Sequence, residues 1–125
     1  MINYSMIGVS NFDKASKFYD EIFSLLGAQP VHKTDRSRFY ATQDGRPLFA
    51  ICTPYDNEAA TAGNGSMTAF TASSKDIVKT VYDKAIELGA TCEGEPGPRG
   101  EFGDFAYFRD IDGNKLAVSA LNPKA

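Results

Sequence analysis

The chain repeats itself once, and that repeat restricts the folds open to it more than any other feature. Val9-Ser10-Asn11-Phe12-Asp13 leads into Ala15, Phe18, Tyr19, Ile22, Phe23 and Leu26, then Gly27-Ala28. Ala72-Ser73-Ser74-Lys75-Asp76 leads into Ile77, Val78, Val81, Tyr82, Ala85, Ile86 and Leu88, then Gly89-Ala90. One spacing of 63 residues carries Ser10 to Ser73, Asp13 to Asp76 and Tyr19-Asp20 to Tyr82-Asp83. Apolar residues at steps of three and four predict an amphipathic helix in each copy. Ser10 and Ser73 are the expected N-caps, Asp13 and Asp76 suit the positive helix ends, and Gly27 and Gly89 suit positive φ at the C-termini.

Short apolar runs at 2–9 and 66–72 precede the helices and read as strands. Further strand-like runs follow at 29–34, 37–42 and 47–53 in the first half, and at 91–93, 105–109 and 115–121 in the second. Asp44-Gly45 and Asp112-Gly113 are hairpin turns that need positive φ. Each half is therefore βαβββ, in an α+β fold. The expected organisation is one domain of two modules, 1–54 and 64–122, joined by a polar linker at 55–63. Pro96-Gly97-Pro98-Arg99-Gly100 reads as a loop inserted in the second half alone.

Composition narrows the partners. The 125 residues suit one compact domain, and nine Phe with six Tyr supply an aromatic core without Trp. A net charge of −3 with no block of like charges argues against nucleic acid or an anionic membrane. No apolar run reaches the roughly 18 residues of a membrane span. The start Met-Ile-Asn-Tyr-Ser lacks the pattern of a signal peptide, and Cys52 and Cys92 lack CxxC spacing. The expectation is a cytoplasmic protein with reduced thiols.

Three segments carry a family likeness. Phe108–Leu116 (Phe-Arg-Asp-Ile-Asp-Gly-Asn-Lys-Leu) is similar to the "FRDPDGNxxE" ending of the vicinal-oxygen-chelate superfamily of glyoxalase, bleomycin-resistance and extradiol dioxygenase proteins. Ser10–Leu26 resembles its "SDxxxAxxFYxxxLxxLG" helix, and Gly63–Phe70 its "GxGxHxAF" strand. The resemblance implies two βαβββ modules curling as a mixed sheet around a cupped cavity that binds small molecules, often in a homodimer. Enzymes of that superfamily hold a divalent metal on four side chains, from the first and last strand of each module.

Carried over one position at a time, those ligands fall on Tyr4, Met67, Ala117 and Phe49, with Ala50 or Ile51 in place of Phe49 if the register slips. A divalent cation needs His, Asp, Glu, Gln or Cys, so the resemblance implies a member without the usual metal and with no cofactor. The lone histidine, His32, lies on a strand that supplies no ligand in the family; a general base or a plain surface residue are both open. Asp110, Asp112 and Asn114 resemble a calcium-loop fragment, but the closing glutamate is missing and a tight turn accounts for them.

Other candidates each have a plainer alternative. Arg99 and Glu101 flank the glycine-rich stretch 97–103, as a ligand clamp or as a solvated hairpin tip. Phe105 and Tyr107 share a strand face that either lines the cavity or packs on a helix, and core suits Phe105 better. Arg38 and Tyr40 likewise share a face, where Arg38 either pairs with a ligand anion or is a surface arginine. Cys52 reads as an inert buried thiol.

The leading expectation is a metal-free protein that binds a small organic ligand in an aromatic cavity. The runner-up is a lyase- or isomerase-type enzyme of the glyoxalase branch that uses Tyr4, Tyr107, Arg99 or Glu101 for proton transfer. A protein-interaction module ranks third, because no apolar surface stripe is evident.

Overall fold

In the computed structural model, which describes residues 1–123, the chain divides between Ala62 and Gly63 into two compact units. The first runs β1 (Tyr4–Gly8), α1 (Phe12–Leu25), β2 (Gln29–Lys33), β3 (Ser37–Ala41), β4 (Leu48–Cys52). The second runs β5 (Thr68–Thr71), α2 (Lys75–Glu87), β6 (Thr91–Arg99), β7 (Gly103–Arg109), β8 (Lys115–Leu121). Each unit is thus βαβββ with its own four-stranded mixed sheet, ordered β1-β4-β3-β2 and β5-β8-β7-β6. The opening strand lies parallel to the last one, and the other neighbours are antiparallel. Parallel neighbours need a long crossover, and the helix with its following strands supplies it. Among the described residues no helix is long and apolar enough to cross a membrane.

Glycine places the turns where the sequence requires them. Gly27 and Gly89 end the helices at φ 77° and 107°, and Gly45 and Gly113 turn the hairpins at 81° and 87°. The N-caps fall one residue later than expected. Asn11 Oδ1 accepts from Lys14 N at 3.0 Å, and Ser74 Oγ accepts from Ile77 N at 3.2 Å. A cap is set by reach to a free amide three residues on, and Asn11 and Ser74 have it. The hydroxyl of Ser10 instead accepts from Ala60 N at 2.9 Å, tying the linker to the start of α1.

The stretch expected as an inserted loop is the second half of a strand. β6 continues to Arg99 through register shifts between Cys92 and Gly94 and between Gly94 and Gly97. It lies at the edge of its sheet, so Pro96 and Pro98 leave no interior ladder bond unmade. Bulges absorb the extra residues.

One face of each sheet is covered by its own helix. Helix α1 buries Ala15, Phe18, Tyr19, Ile22 and Phe23. Tyr19 and Phe23 meet Phe49 with ring centroids 6.0 and 5.6 Å apart, and Phe23 meets Tyr40 at 4.8 Å. Helix α2 buries Val78, Val81 and Ala85, and Ala106, Phe108, Leu116 and Val118 are fully buried in the sheet beneath it. Each large side chain so buried contributes about 1.5–3 kcal/mol. Ser16 breaks the pattern: its hydroxyl is buried with no hydrogen-bond partner among the described residues. Ser16→Ala is expected to raise stability by about 1 kcal/mol, since a desolvated hydroxyl is removed and alanine favours the helix. Urea unfolding measures this, and a loss of stability would show that the hydroxyl has a partner.

Candidate functional site

Residues alternate across a strand, so each sheet presents one set of side chains to its helix and the other set to the open face. In the first unit, β4 pairs Phe49 with Tyr40 and Ile51 with Arg38 on the helix side. The opposite set is Tyr4, Met6, Leu48, Ala50 and Phe39. His32 joins it, because a bulge between Pro30 and His32 sets the imidazole beside Phe39. Tyr4 and His32 both approach Phe39 edge to face, with centroids 5.3 and 5.7 Å apart. Ala50, between Met6 and Phe39, carries only a methyl, which leaves room for the Tyr4 ring to reach across. The open face is an aromatic row with a phenol at one end and an imidazole at the other.

Arg38 and Tyr40 point the other way. Arg38 donates to both carboxylate oxygens of Asp20 on α1, Nε to Oδ1 at 2.9 Å and Nη2 to Oδ2 at 2.6 Å. The Tyr40 hydroxyl donates to Asp20 Oδ1 at 2.7 Å and accepts from Arg38 Nε at 3.2 Å. Burial pushes the Asp20 carboxyl up, but the bonds from Arg38 and Tyr40 outweigh it and hold the group below the usual aspartate value. Burial and the neighbouring carboxylate raise the Tyr40 phenol well above its ordinary range. These three side chains lock helix to sheet. An arginine already engaged by a carboxylate in two bonds is poorly disposed to take a ligand anion.

Phe49 likewise packs on α1. Met6 is the repeat-mate of Ala69 at the 63-residue spacing; Met6 pairs with Ala50 and Ala69 pairs with Ala117. The counterpart of Ala117 is therefore Ala50, the alternative that register slippage allowed.

In the second unit the Cys92 thiol of β6 beside Tyr82 of α2, together with burial, pushes that phenol up to about 12. Cys92 pairs with Phe108 and Phe108 with Leu116, so those residues face the helix. Phe105, Tyr107, Ala117 and Ser119 form the opposite set, and Phe105 is not part of the core beneath α2. The rings of Phe105 and Tyr107 lie within 12° of parallel, with centroids 6.1 Å apart. Arg99 and Lys115 both approach the Tyr107 ring, at 5.7 and 5.8 Å from its centroid. Arg99 donates to the carbonyl oxygens of Glu95, Gly97 and Pro98 (2.8, 3.1 and 3.3 Å), which fixes the guanidinium against the bulged strand. Gly94 leaves room for this, since a Cβ there would sit 3.0 Å from the Tyr107 ring and 3.3 Å from Arg99. Glu101 stands apart in the exposed β6–β7 turn, where its carbonyl accepts from Asn122 Nδ2 at 2.7 Å. Met67 is exposed, one residue before β5.

The 110–114 segment is a self-contained turn. Asp110 Oδ1 accepts from the amides of Asp112 and Asn114, and Oδ2 from Asn114 Nδ2. Cys52 is half-buried, and burial raises its thiol above the ordinary value.

The sequence matches the Glyoxalase/Bleomycin resistance protein/Dioxygenase superfamily over residues 1–118. The chain belongs to this superfamily. Its structure is similar to that of a glyoxalase/bleomycin resistance protein from Albidiferax ferrireducens, with 34% identity, a TM-score of 0.89, and 98% of this chain and 99% of that one covered. A glyoxalase/bleomycin resistance protein/dioxygenase family enzyme from Burkholderia phytofirmans gives 20% identity and a TM-score of 0.78, over 96% and 98%. The fosfomycin resistance protein FosX from Listeria monocytogenes, crystallised with Mn(II) and sulfate, gives 17% identity and a TM-score of 0.75, over 99% and 92%. The last two show likeness of fold alone. No protein of curated function matches the sequence significantly.

The superfamily's metal is a poor fit to this donor set. Tyr4, Met67, Ala50 and Ala117 offer one phenol, one thioether and two methyl groups, whereas a divalent ion in such a site takes imidazole or carboxylate. Among the described residues no three His, Cys, Asp or Glu side chains lie close enough to hold an ion.

Proposed function

We propose that this member of the superfamily binds a small organic molecule on its open sheet faces and does so without a divalent metal. The observation that carries the reading is the placement of Tyr4, Phe39, His32, Phe105 and Tyr107 on faces their own helices leave uncovered. Aromatic rings flanked by a few polar groups are the usual lining of a small-molecule site. The donor chemistry of the four family positions points the same way. The same reading takes the protein as a cytoplasmic homodimer with no nucleic-acid or membrane partner.

A thermal-shift screen of aromatic and aliphatic metabolites tests it. A compound present at a hundred times its Kd should stabilise the fold by about 2.7 kcal/mol, and EDTA should leave the shift unchanged. Tyr4→Ala or Tyr107→Ala should reduce it, according to which face the compound uses. Silence across every chemical class would count against binding. Turnover of a methylglyoxal–glutathione adduct that ceased on chelation would establish metal-dependent lyase chemistry instead.

A further inference from the structure

The two open faces differ in charge, and the difference bears on what the second one holds. Strands β6 to β8 bring Arg99, Lys115 and Arg109 to the face that carries Phe105 and Tyr107. Glu93 is the carboxylate there; it is bonded to Arg109, and the charge of Lys115 acts on it as well. Asp104 alternates with Phe105 and so belongs to the opposite side, and Glu95 is exposed on the edge strand. Arg99 is held by three carbonyl oxygens, which orient a guanidinium without neutralising it. Arg99 and Lys115 stand 5.7 and 5.8 Å from the same ring centroid, and an anion beside that ring would be attracted to both. Arg99, Lys115, Phe105 and Tyr107 are each half-buried, so the charges are less screened than on an open surface.

Resting on the small-molecule reading above, we propose that this face selects an organic oxyanion. The ligand's carboxylate, phosphate or phosphonate would lie beside Tyr107, drawn by Arg99 and Lys115, and its apolar body against the Phe105 and Tyr107 rings. Charge complementarity favours this occupant over a neutral aromatic molecule, and the ring pair favours it over an inorganic ion. On the first unit's face Tyr4, Phe39 and His32 bring no fixed cation, so selectivity for anions belongs to the second sheet.

Isothermal titration of the full chain with phenylacetate, phenylphosphonate and the neutral phenylacetamide tests the assignment. At least one anion should bind about tenfold more tightly than the amide, the scale of one charge-assisted hydrogen bond. Its affinity should fall as salt is raised, and the comparison of the two anions separates carboxylate from phosphonate preference. Lys115→Gln should cost the anion about tenfold and leave the amide unchanged. Arg99→Lys, which retains the charge but loses the planar fork, should cost less. Lys79→Gln, on the exposed side of α2 in a pair with Asp83, should change nothing. Amide binding as tight as the anions, or anion binding indifferent to Lys115→Gln, would overturn the oxyanion assignment and leave the small-molecule reading standing. Failure of all three probes would overturn the assignment as well, and a silent metabolite screen beside it would remove the reading on which it rests.

Discussion

Gly103→Ala is expected to cost about 3 kcal/mol of stability, through backbone that cannot yield. Gly103 has φ 145°, a region that side-chain-bearing residues rarely enter. A Cβ there would stand 2.2 Å from the Ala120 carbonyl oxygen and 2.8 Å from Leu121 Cα. Neither neighbour is the end of a flexible side chain, so the start of β7 must part from the end of β8. That separation endangers the Asn122 N to Phe102 O bond at 2.8 Å and the bond from the Asn122 side chain to Glu101 O. Backbone strain of about 1–2 kcal/mol and one or two hydrogen bonds at about 1 kcal/mol each make up the loss. Gly100→Ala is the control. Gly100 also has positive φ, 59°, but its Cβ would meet only Phe102 Cδ2 at 3.9 Å, so about 1 kcal/mol is expected. Urea unfolding of both variants separates clash from conformation, and equal losses would show that the strands part at little cost.

Asp20→Ala should destabilise the first unit by about 2 kcal/mol. The substitution leaves the Arg38 guanidinium, with its side chain only 16% exposed, facing α1 without its anion, and takes the acceptor from the Tyr40 hydroxyl. Breaking a fully buried pair costs about 3–5 kcal/mol; Asp20 is 36% exposed, so solvent recovers part of that. Asp20→Ala with Arg38→Met should recover much of the loss, because no unpaired charge is left. The pH dependence has a definite sign. Asp20 titrates lower in the folded chain than its unfolded value of 3.8, so its contribution is complete above that value. It disappears as pH falls through the lower folded value. The gap between the parent protein and Asp20→Ala should therefore be constant at neutral pH and close in acid. A gap that persisted unchanged at the acid end would show that Asp20 acts through packing rather than charge.

Much of the architecture was legible because helix and hairpin signals are local. The steps of three and four around Phe18, Tyr19, Ile22 and Phe23, the glycines at 27 and 89, and the two Asp-Gly turns depend on near neighbours alone. The caps shifted by one residue because Ser10 and Asn11 are both competent, and only the path of the linker past Ala60 assigned Ser10 elsewhere. The second half of β6 reads as a loop because Gly and Pro weaken strand propensity; an edge position removes that objection. The candidate sites were less legible. Asp20 shows in the sequence only as part of the repeat, although it is the residue that engages Arg38 and Tyr40, because a carboxylate on the polar side of a helix gives no local sign of its partner. The cluster at Tyr107 draws on three strands, and nothing in the spacing of Arg99, Tyr107 and Lys115 announces it.

The order of elements, the doubling of a βαβββ unit, membership of the superfamily and the residue types at Tyr4, Met67 and Ala117 can be read from the chain alone. These follow from local periodicity and from residue types at positions a repeat can index. Which way each strand residue faces is set by packing. Alternation says that Arg38 keeps company with Tyr40, and Phe105 with Tyr107, but it is equally satisfied by either face. Packing removes that two-fold ambiguity. Helix α1 covers Phe49, Tyr40 and Arg38 and leaves Phe39 on the opposite side of the sheet, while α2 lies over Phe108 and Leu116 and leaves Tyr107 to its two cations.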